Sequence, residues 1–132
     1  QAGLIWIAPI LPMTSGHYDE LQHTVRPLLK KYGFEYQVTL ICVNERSFCG
    51  LMSIAFDRSN AEETQRAAEC REALIESLFA KGYWPYRASP AIQKALHTAA
   101  PEYWQALARL QNAWDPQGIL ASGHYIPVSK TN

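Results

Sequence analysis

Phe34-Glu35-Tyr36-Gln37-Val38-Thr39-Leu40-Ile41-Cys42-Val43-Asn44-Glu45-Arg46-Ser47-Phe48-Cys49-Gly50-Leu51-Met52-Ser53-Ile54-Ala55-Phe56 is the stretch that decides the fold. Phe34, Tyr36, Val38 and Leu40 alternate with Glu35, Gln37 and Thr39, the period of a strand with one packed face. Asn44-Glu45-Arg46-Ser47 breaks the pattern. A second strand then runs from Phe48 to Phe56, with Met52, Ile54 and Phe56 on one side and Leu51, Ser53 and Ala55 on the other. The two are expected to lie side by side and antiparallel. Gly50 inside the second strand marks a bulge or a close approach by another group.

Helical periods flank this pair. Upstream, Tyr18, Leu21, Val25, Leu28 and Tyr32 recur at helical spacing, with a kink expected at Pro27 and a stop at Gly33. Downstream, Asn60 caps a long helix, with Glu63 placed to complete a capping box. Ala67, Cys70, Leu74, Leu78 and Phe79 form its buried stripe, and Gly82 ends it. Leu4-Ile5-Trp6-Ile7-Ala8 reads as a short apolar strand, placed inside a sheet or leading into a buried loop. Pro9 to Gly16 reads as a connection.

Past Gly82, the stretch Tyr83-Trp84-Pro85-Tyr86-Arg87 is expected to be irregular. Ser89-Pro90 opens a short helix, and Pro101 opens another with Tyr103, Leu107, Leu110 and Trp114 along one face. Asp115-Pro116-Gln117-Gly118 stops it, and Ser129 to Asn132 form a tail. Strand, helix, strand, strand, helix and a helical tail make an α+β domain. The expected form is a ferredoxin-like antiparallel sheet with helices on one face. The other face must be wet, or must close over a partner or another domain. Tyr83, Trp84, Tyr86 and Tyr125 exceed the needs of a small core, so some belong at an interface or pocket.

Twelve basic residues balance twelve acidic ones in the 132-residue chain, which gives no support to nucleic-acid or anionic-membrane binding. No apolar run approaches the ~20 residues of a membrane span. No signal peptide is visible, and Gln1 leaves room for one removed upstream, so cytoplasm and periplasm both stay open. Cys42, Cys49 and Cys70 lack a metal-ligand spacing and read as reduced thiols; no metal site is expected. There is no glycine-rich phosphate loop. His17, His23 and His97 read as helix-surface residues, whereas His124, after a glycine turn, stays open between pocket and surface. Cys49 beside Gly50 is either a pocket thiol or a small buried hydrophobe. A tyrosine hydroxyl beside a guanidinium, as in Tyr86-Arg87, suits a phenolate, a carboxylate or an electron-rich ring; the plainer reading is an aromatic turn with Arg87 facing water.

Gly82-Tyr83-Trp84-Pro85-Tyr86-Arg87 together with Trp114-Asp115-Pro116-Gln117-Gly118-Ile119-Leu120-Ala121-Ser122-Gly123-His124-Tyr125 resembles the carboxyl-terminal part of the vanillyl-alcohol oxidase and p-cresol methylhydroxylase family. Leu4 to Pro9 and Ile54 to Arg58 support the likeness. It covers nearly all of this chain but only the latter part of a full-length enzyme. The Asp-Pro-x-x-Ile-Leu ending is shared widely among FAD-linked oxidases; the preceding Tyr-Arg points to the phenol-oxidising branch.

The resemblance implies that residues 1–113 are the latter part of a larger flavoenzyme's cap domain and that 114–132 return toward the FAD-binding domain. It implies FAD as cofactor and para-substituted phenols as substrates, with hydride passing from the benzylic carbon to flavin. Tyr86 and Arg87 would hold the phenolate, and Arg87, His124, Cys49 and Gly50 would lie by the cofactor. Its implied partners are an upstream FAD-binding domain or chain, an aromatic small molecule, and a homodimer mate or an electron-accepting cytochrome. Two positions depart from the pattern. The strand region where relatives carry a tethering histidine holds Phe48-Cys49-Gly50-Leu51, so FAD is expected to be non-covalent as far as this segment goes. His124 stands where relatives carry Arg or Lys. Two alternatives remain: a non-catalytic ferredoxin-like module that binds a ligand or partner, and a degenerate structural member of the flavoenzyme family.

Overall fold

A computed structural model describes residues 1–121 and 126. It divides into two compact units, Gln1–Arg87 and Ala88–Asn132. The first unit contains β1 (Ala2–Ile7), β2 (Ile10–Pro12), α1 (Ser15–Lys31), β3 (Val38–Asn44), β4 (Ser47–Asp57) and α2 (Ala61–Ala80).

The sheet is open and antiparallel, and β4 is its centre. One edge of β4 pairs with β3; the other pairs with β1 at Met52–Asp57 and with β2 at Ser47–Cys49. Ile7 stands opposite Met52 and Ile10 opposite Cys49, so β1 and β2 keep step as one strand in two pieces. The interruption is Pro9. It has no N–H to give, but its carbonyl accepts from the Gly50 N–H at 3.0 Å. Pairing therefore continues into Ile10–Pro12, where the sequence suggested only a connection.

The two Schellman ends confirm the expected helix stops. Gly33 has φ +74°, with Gly33 N–H on Lys30 O (3.1 Å) and Phe34 N–H on Leu29 O (2.8 Å). Gly82 has φ +78°, with Gly82 N–H on Phe79 O (2.9 Å) and Tyr83 N–H on Leu78 O (3.0 Å). At the start of α2, Asn60 Oδ1 accepts from Glu63 N–H as expected, but the Glu63 carboxylate takes the Asp57 N–H instead of closing the box on Asn60. Pro27 lies inside α1 on its exposed side, where water can serve the carbonyl that the ring leaves unpaired.

Both helices lie on one sheet face. Leu21, Val25 and Leu29 of α1 and Ala67, Cys70, Leu74 and Leu78 of α2 meet Ile7, Leu11, Phe48, Met52 and Ile54. Each large aliphatic side chain sunk there contributes about 1.5–3 kcal/mol. Leu29, not the expected Leu28, is the fully buried member of its turn. β3 begins at Val38 rather than Phe34, although Phe34 and Tyr36 still pack partly on the core. Leu40 was expected on the packed face, yet it is exposed, because neither helix packs along β3. β1 is covered by α2 on one face only: Ile7 is buried, whereas Leu4 and Trp6 on the other face are 50% and 66% exposed. An unbroken apolar run cannot say whether both of its faces find cover within the same unit.

In the second unit, α3 (Pro90–Ala99) and α4 (Pro101–Trp114) are joined by Trp104, whose indole N–H donates to Leu96 O at 3.0 Å. The His97 ring meets Trp104 edge-on, centroids 4.6 Å apart, so His97 is half-buried rather than on the surface. The Asp115 carboxylate accepts from Ile119 N–H (3.1 Å) and Leu120 N–H (2.7 Å), which gives the Asp-Pro-x-x-Ile-Leu ending a structural reason. Tyr103, Leu110 and Trp114 are exposed, and α4 has no buried residue among those described. His124 and its neighbours Ser122, Gly123 and Tyr125 lie outside the described residues. No helix among the described residues is long and apolar enough to cross a membrane.

Candidate functional site

The Schellman turn at Gly82 drives the Tyr83 ring into the core, where the residue is 3% exposed. The chain then runs antiparallel to the outer edge of the β1–β2 strand. Ile10 N–H donates to Trp84 O (2.8 Å), Tyr86 N–H donates to Ala8 O (2.7 Å), and Pro9 and Pro85 face each other between these bonds. The facing pair is the type that exchanges no hydrogen bonds, so two prolines fit it without loss. In a ferredoxin-like sheet this is the place of the fourth strand, beside the first. The stretch expected to be irregular is a fourth strand cut down to one bridge.

Tyr86 and Arg87 follow directly. Both are exposed, and the Arg87 guanidinium carbon is 5.6 Å from the Tyr86 ring centroid. Among the described residues, neither the Tyr86 hydroxyl nor the Arg87 guanidinium has a hydrogen-bond partner. Strand alternation puts Tyr86 on the side of Ala8 and Ile10.

The open face of the sheet, opposite the helices, is mostly apolar, with Thr39 and Ser53 its polar residues in mid-sheet and the charged Asp57 at the far end of β4. Its register sets Trp6 beside Ser53, Leu4 beside Ala55 and Ile41 beside Cys49. Cys49 lies here, only 6% exposed, and burial pushes its thiol above the ordinary value. Gly50 points the other way. A β-carbon there would lie 2.9 Å from Leu21 Cδ2, so the group that approaches Gly50 closely is the Leu21 side chain of α1. Cys49 and Gly50 share the level of Pro9 and Pro85, about 10 Å from Pro85 at two strand spacings, but on opposite faces.

A polar cluster under the same segment escaped the sequence reading. The Tyr83 hydroxyl donates to Glu20 Oε2, and Lys81 Nζ donates to Glu20 Oε1 at 2.9 Å. His17 Nδ1 is 2.8 Å from the phenol oxygen, which accepts from it while the phenol O–H points at Glu20. Burial first, and Glu20 second, push the Tyr83 phenol up to about 12. The hydrogen bonds from Tyr83 and Lys81 hold the Glu20 carboxyl below its ordinary value. The available signal was the His17–Glu20 spacing of three on one helix side. Among the described residues no group of His, Cys, Asp and Glu could hold a metal ion.

No protein-family model matches the chain. Over 125 residues, 95% of its length, it is 34% identical to 1'-carboxy-chondrochloren decarboxylase of Chondromyces crocatus. Over 122 residues, 92% of its length, it is 29% identical to the flavoprotein subunit of 4-cresol dehydrogenase (hydroxylating) of Pseudomonas putida. Substrate-bound p-cresol methylhydroxylase superposes with a TM-score of 0.85 at 28% identity, over 95% of this chain and 24% of that one. The chain is homologous to flavoenzymes of the vanillyl-alcohol oxidase and p-cresol methylhydroxylase family. It spans 23% of the length of each of these curated relatives. Members of the vanillyl-alcohol oxidase family are FAD-dependent and act on phenolic substrates. The 4-ethylphenol oxidase of Gulosibacter chungangensis, in its isoeugenol complex, shares the fold, with a TM-score of 0.81 at 18% identity over 96% of this chain and 25% of that one.

Proposed function

We propose that the chain is the latter part of the cap domain, with the returning carboxyl-terminal segment, of an FAD-dependent oxidoreductase that oxidises para-substituted phenols. Residues 1–113 are the cap portion and 114–132 the return. The observation that carries this is the Tyr86–Arg87 pair: a hydroxyl and a guanidinium, side by side, exposed and without partners among the described residues, next to a mostly apolar sheet face.

That face suits a flat aromatic ring system, and Arg87 suits the negative charge of a reduced flavin. FAD, when bound, supplies the acceptor for a hydride from the benzylic carbon. The chain's own work is on the substrate. The Tyr86 hydroxyl donates to the phenolate oxygen, and Arg87 offsets its charge. Holding the phenol ionised lets the oxidised substrate form as a neutral quinone methide rather than a cation. Trp6, Ile41 and Leu51 keep water from the ring.

A second reading is favoured by the 34% identity to a decarboxylase. Where the carbon next to the benzylic one bears a carboxylate, the quinone methide can break that carbon–carbon bond. Carbon dioxide leaves, the bonding pair restores the phenolate, and a vinyl phenol results. Product analysis with and without that carboxylate separates the two outcomes.

The test of the site is rapid anaerobic flavin reduction in the complete protein. Tyr86→Phe removes a hydrogen bond to a charged group, about 1.5–3 kcal/mol. At about 1.4 kcal/mol per tenfold, reduction slows by roughly one to two orders of magnitude. Arg87→Lys, losing the planar fork, costs at least as much. Wild-type rates and affinities in both variants would return the pair to an aromatic turn with a surface arginine.

A further inference from the structure

The cluster beneath the fourth-strand segment has no part in the chemistry just described. Tyr83 is anchored at both ends. Its ring is in the core, and its hydroxyl is held by Glu20 and His17, with Lys81 on the far oxygen of Glu20. Tyr86 lies three residues on. Between them the segment has two main-chain bonds to the sheet, at Trp84 O and Tyr86 N–H, and two facing prolines that add none. With only two main-chain bonds, a strand so short leans on the Tyr83 tether at its start to hold the orientation of Tyr86 and Arg87. The tether also brings no net charge near a bound anion, since Lys81 matches Glu20.

We propose that Tyr83 and Glu20 are positioning residues for the Tyr86–Arg87 pair: they fix where its hydroxyl and guanidinium point, and so set how strongly the site prefers an ionised phenol to a neutral aromatic. This rests on the phenolate reading of that pair. Helix α1, distant in sequence from the pair, thereby takes part in substrate discrimination through Glu20 and His17.

The test uses the complete FAD-containing protein with 4-nitrophenol, whose phenolate band reports its ionisation, and its methyl ether 4-nitroanisole as the neutral control. Tyr83→Phe keeps the ring and removes the hydroxyl; Glu20→Ala removes the acceptor from a half-exposed position and carries the test if the first variant does not fold. Each is expected to weaken 4-nitrophenol binding about tenfold, the loss for a support of about 1.4 kcal/mol. Each should also raise the pH at which the bound phenolate band appears, while 4-nitroanisole binds within about twofold of wild type. Equal weakening of both ligands would mark the cluster as merely structural and overturn the proposal. Unchanged 4-nitrophenol binding in both variants, alongside a loss in Tyr86→Phe, would overturn it and leave the phenolate reading intact. No loss even in Tyr86→Phe and Arg87→Lys would overturn both.

Discussion

Gly50 faces the Leu21 side chain of α1, and Gly50→Ala tests whether packing against it accounts for the glycine. The added β-carbon would sit 2.9 Å from Leu21 Cδ2 and 3.4 Å from Leu11 Cδ1. Both leucines are 0% exposed, so neither can swing into water. Backbone conformation is not the issue, because Gly50 is outside the left-handed region that Gly33 and Gly82 occupy. One extra methyl group forced into a closed core costs about 1–3 kcal/mol. Taking ~2 kcal/mol for a unit of this size lowers the melting temperature by roughly 8–16 °C. Leu21→Ala alone costs about 2–5 kcal/mol through the cavity it leaves. Combined with Gly50→Ala, the new methyl group occupies part of that cavity, and the pair falls short of additivity by ~1 kcal/mol. Urea unfolding of the four proteins, followed by circular dichroism, measures each term. Strict additivity, or a Gly50→Ala effect within about 0.5 kcal/mol, would refute the packing account. Glycine would then be needed at this position for something other than α1.

Two further outcomes follow from buried groups. The Tyr83 phenol, about 12 in the folded state against an ordinary 10.0, resists ionisation that the unfolded chain accepts. Its contribution to stability is complete below pH 10 and is lost as pH rises through 12; Tyr83→Phe flattens that alkaline loss in unfolding curves taken across the range. Burial raises the Cys49 thiol while Cys42 is exposed, so mass-mapped alkylation at neutral pH modifies Cys42 first; faster labelling of Cys49 would contradict its placement.

What the sequence made legible, and what it hid, follows from the range of the forces involved. Asn60, Gly33 and Gly82 act within a turn of helix, and each stands where local chemistry placed it. The alternation of Met52, Ile54 and Phe56 was readable because one face of β4 is uniformly apolar. Pro9 misled because a missing N–H says nothing of the carbonyl beside it, which still pairs with Gly50. Leu4 and Trp6 misled because nothing within this unit covers them. The site divides in the same way. Tyr86 and Arg87 are neighbours in sequence and were found together. Glu20 and Tyr83 are 63 residues apart and meet only once α1 and α2 have packed. Cys49 and Gly50 are adjacent, yet strand alternation sends them to opposite faces, so only Cys49 shares the open face with Tyr86.

Pro85 has a consequence for how the molecule meets its own copies. In a facing pair that exchanges no hydrogen bonds, the nitrogen and carbonyl of each residue turn away from the other. Those of Pro9 turn toward β4; those of Pro85 turn outward, where a further strand would have to add. Pro85 offers that newcomer no donor, and the chain bends away at Tyr86 and Arg87. At the level of Ala8 to Ile10 the sheet is thereby ended by a residue that cannot template growth, and the Tyr86–Arg87 pair hangs from that guarded part of the margin.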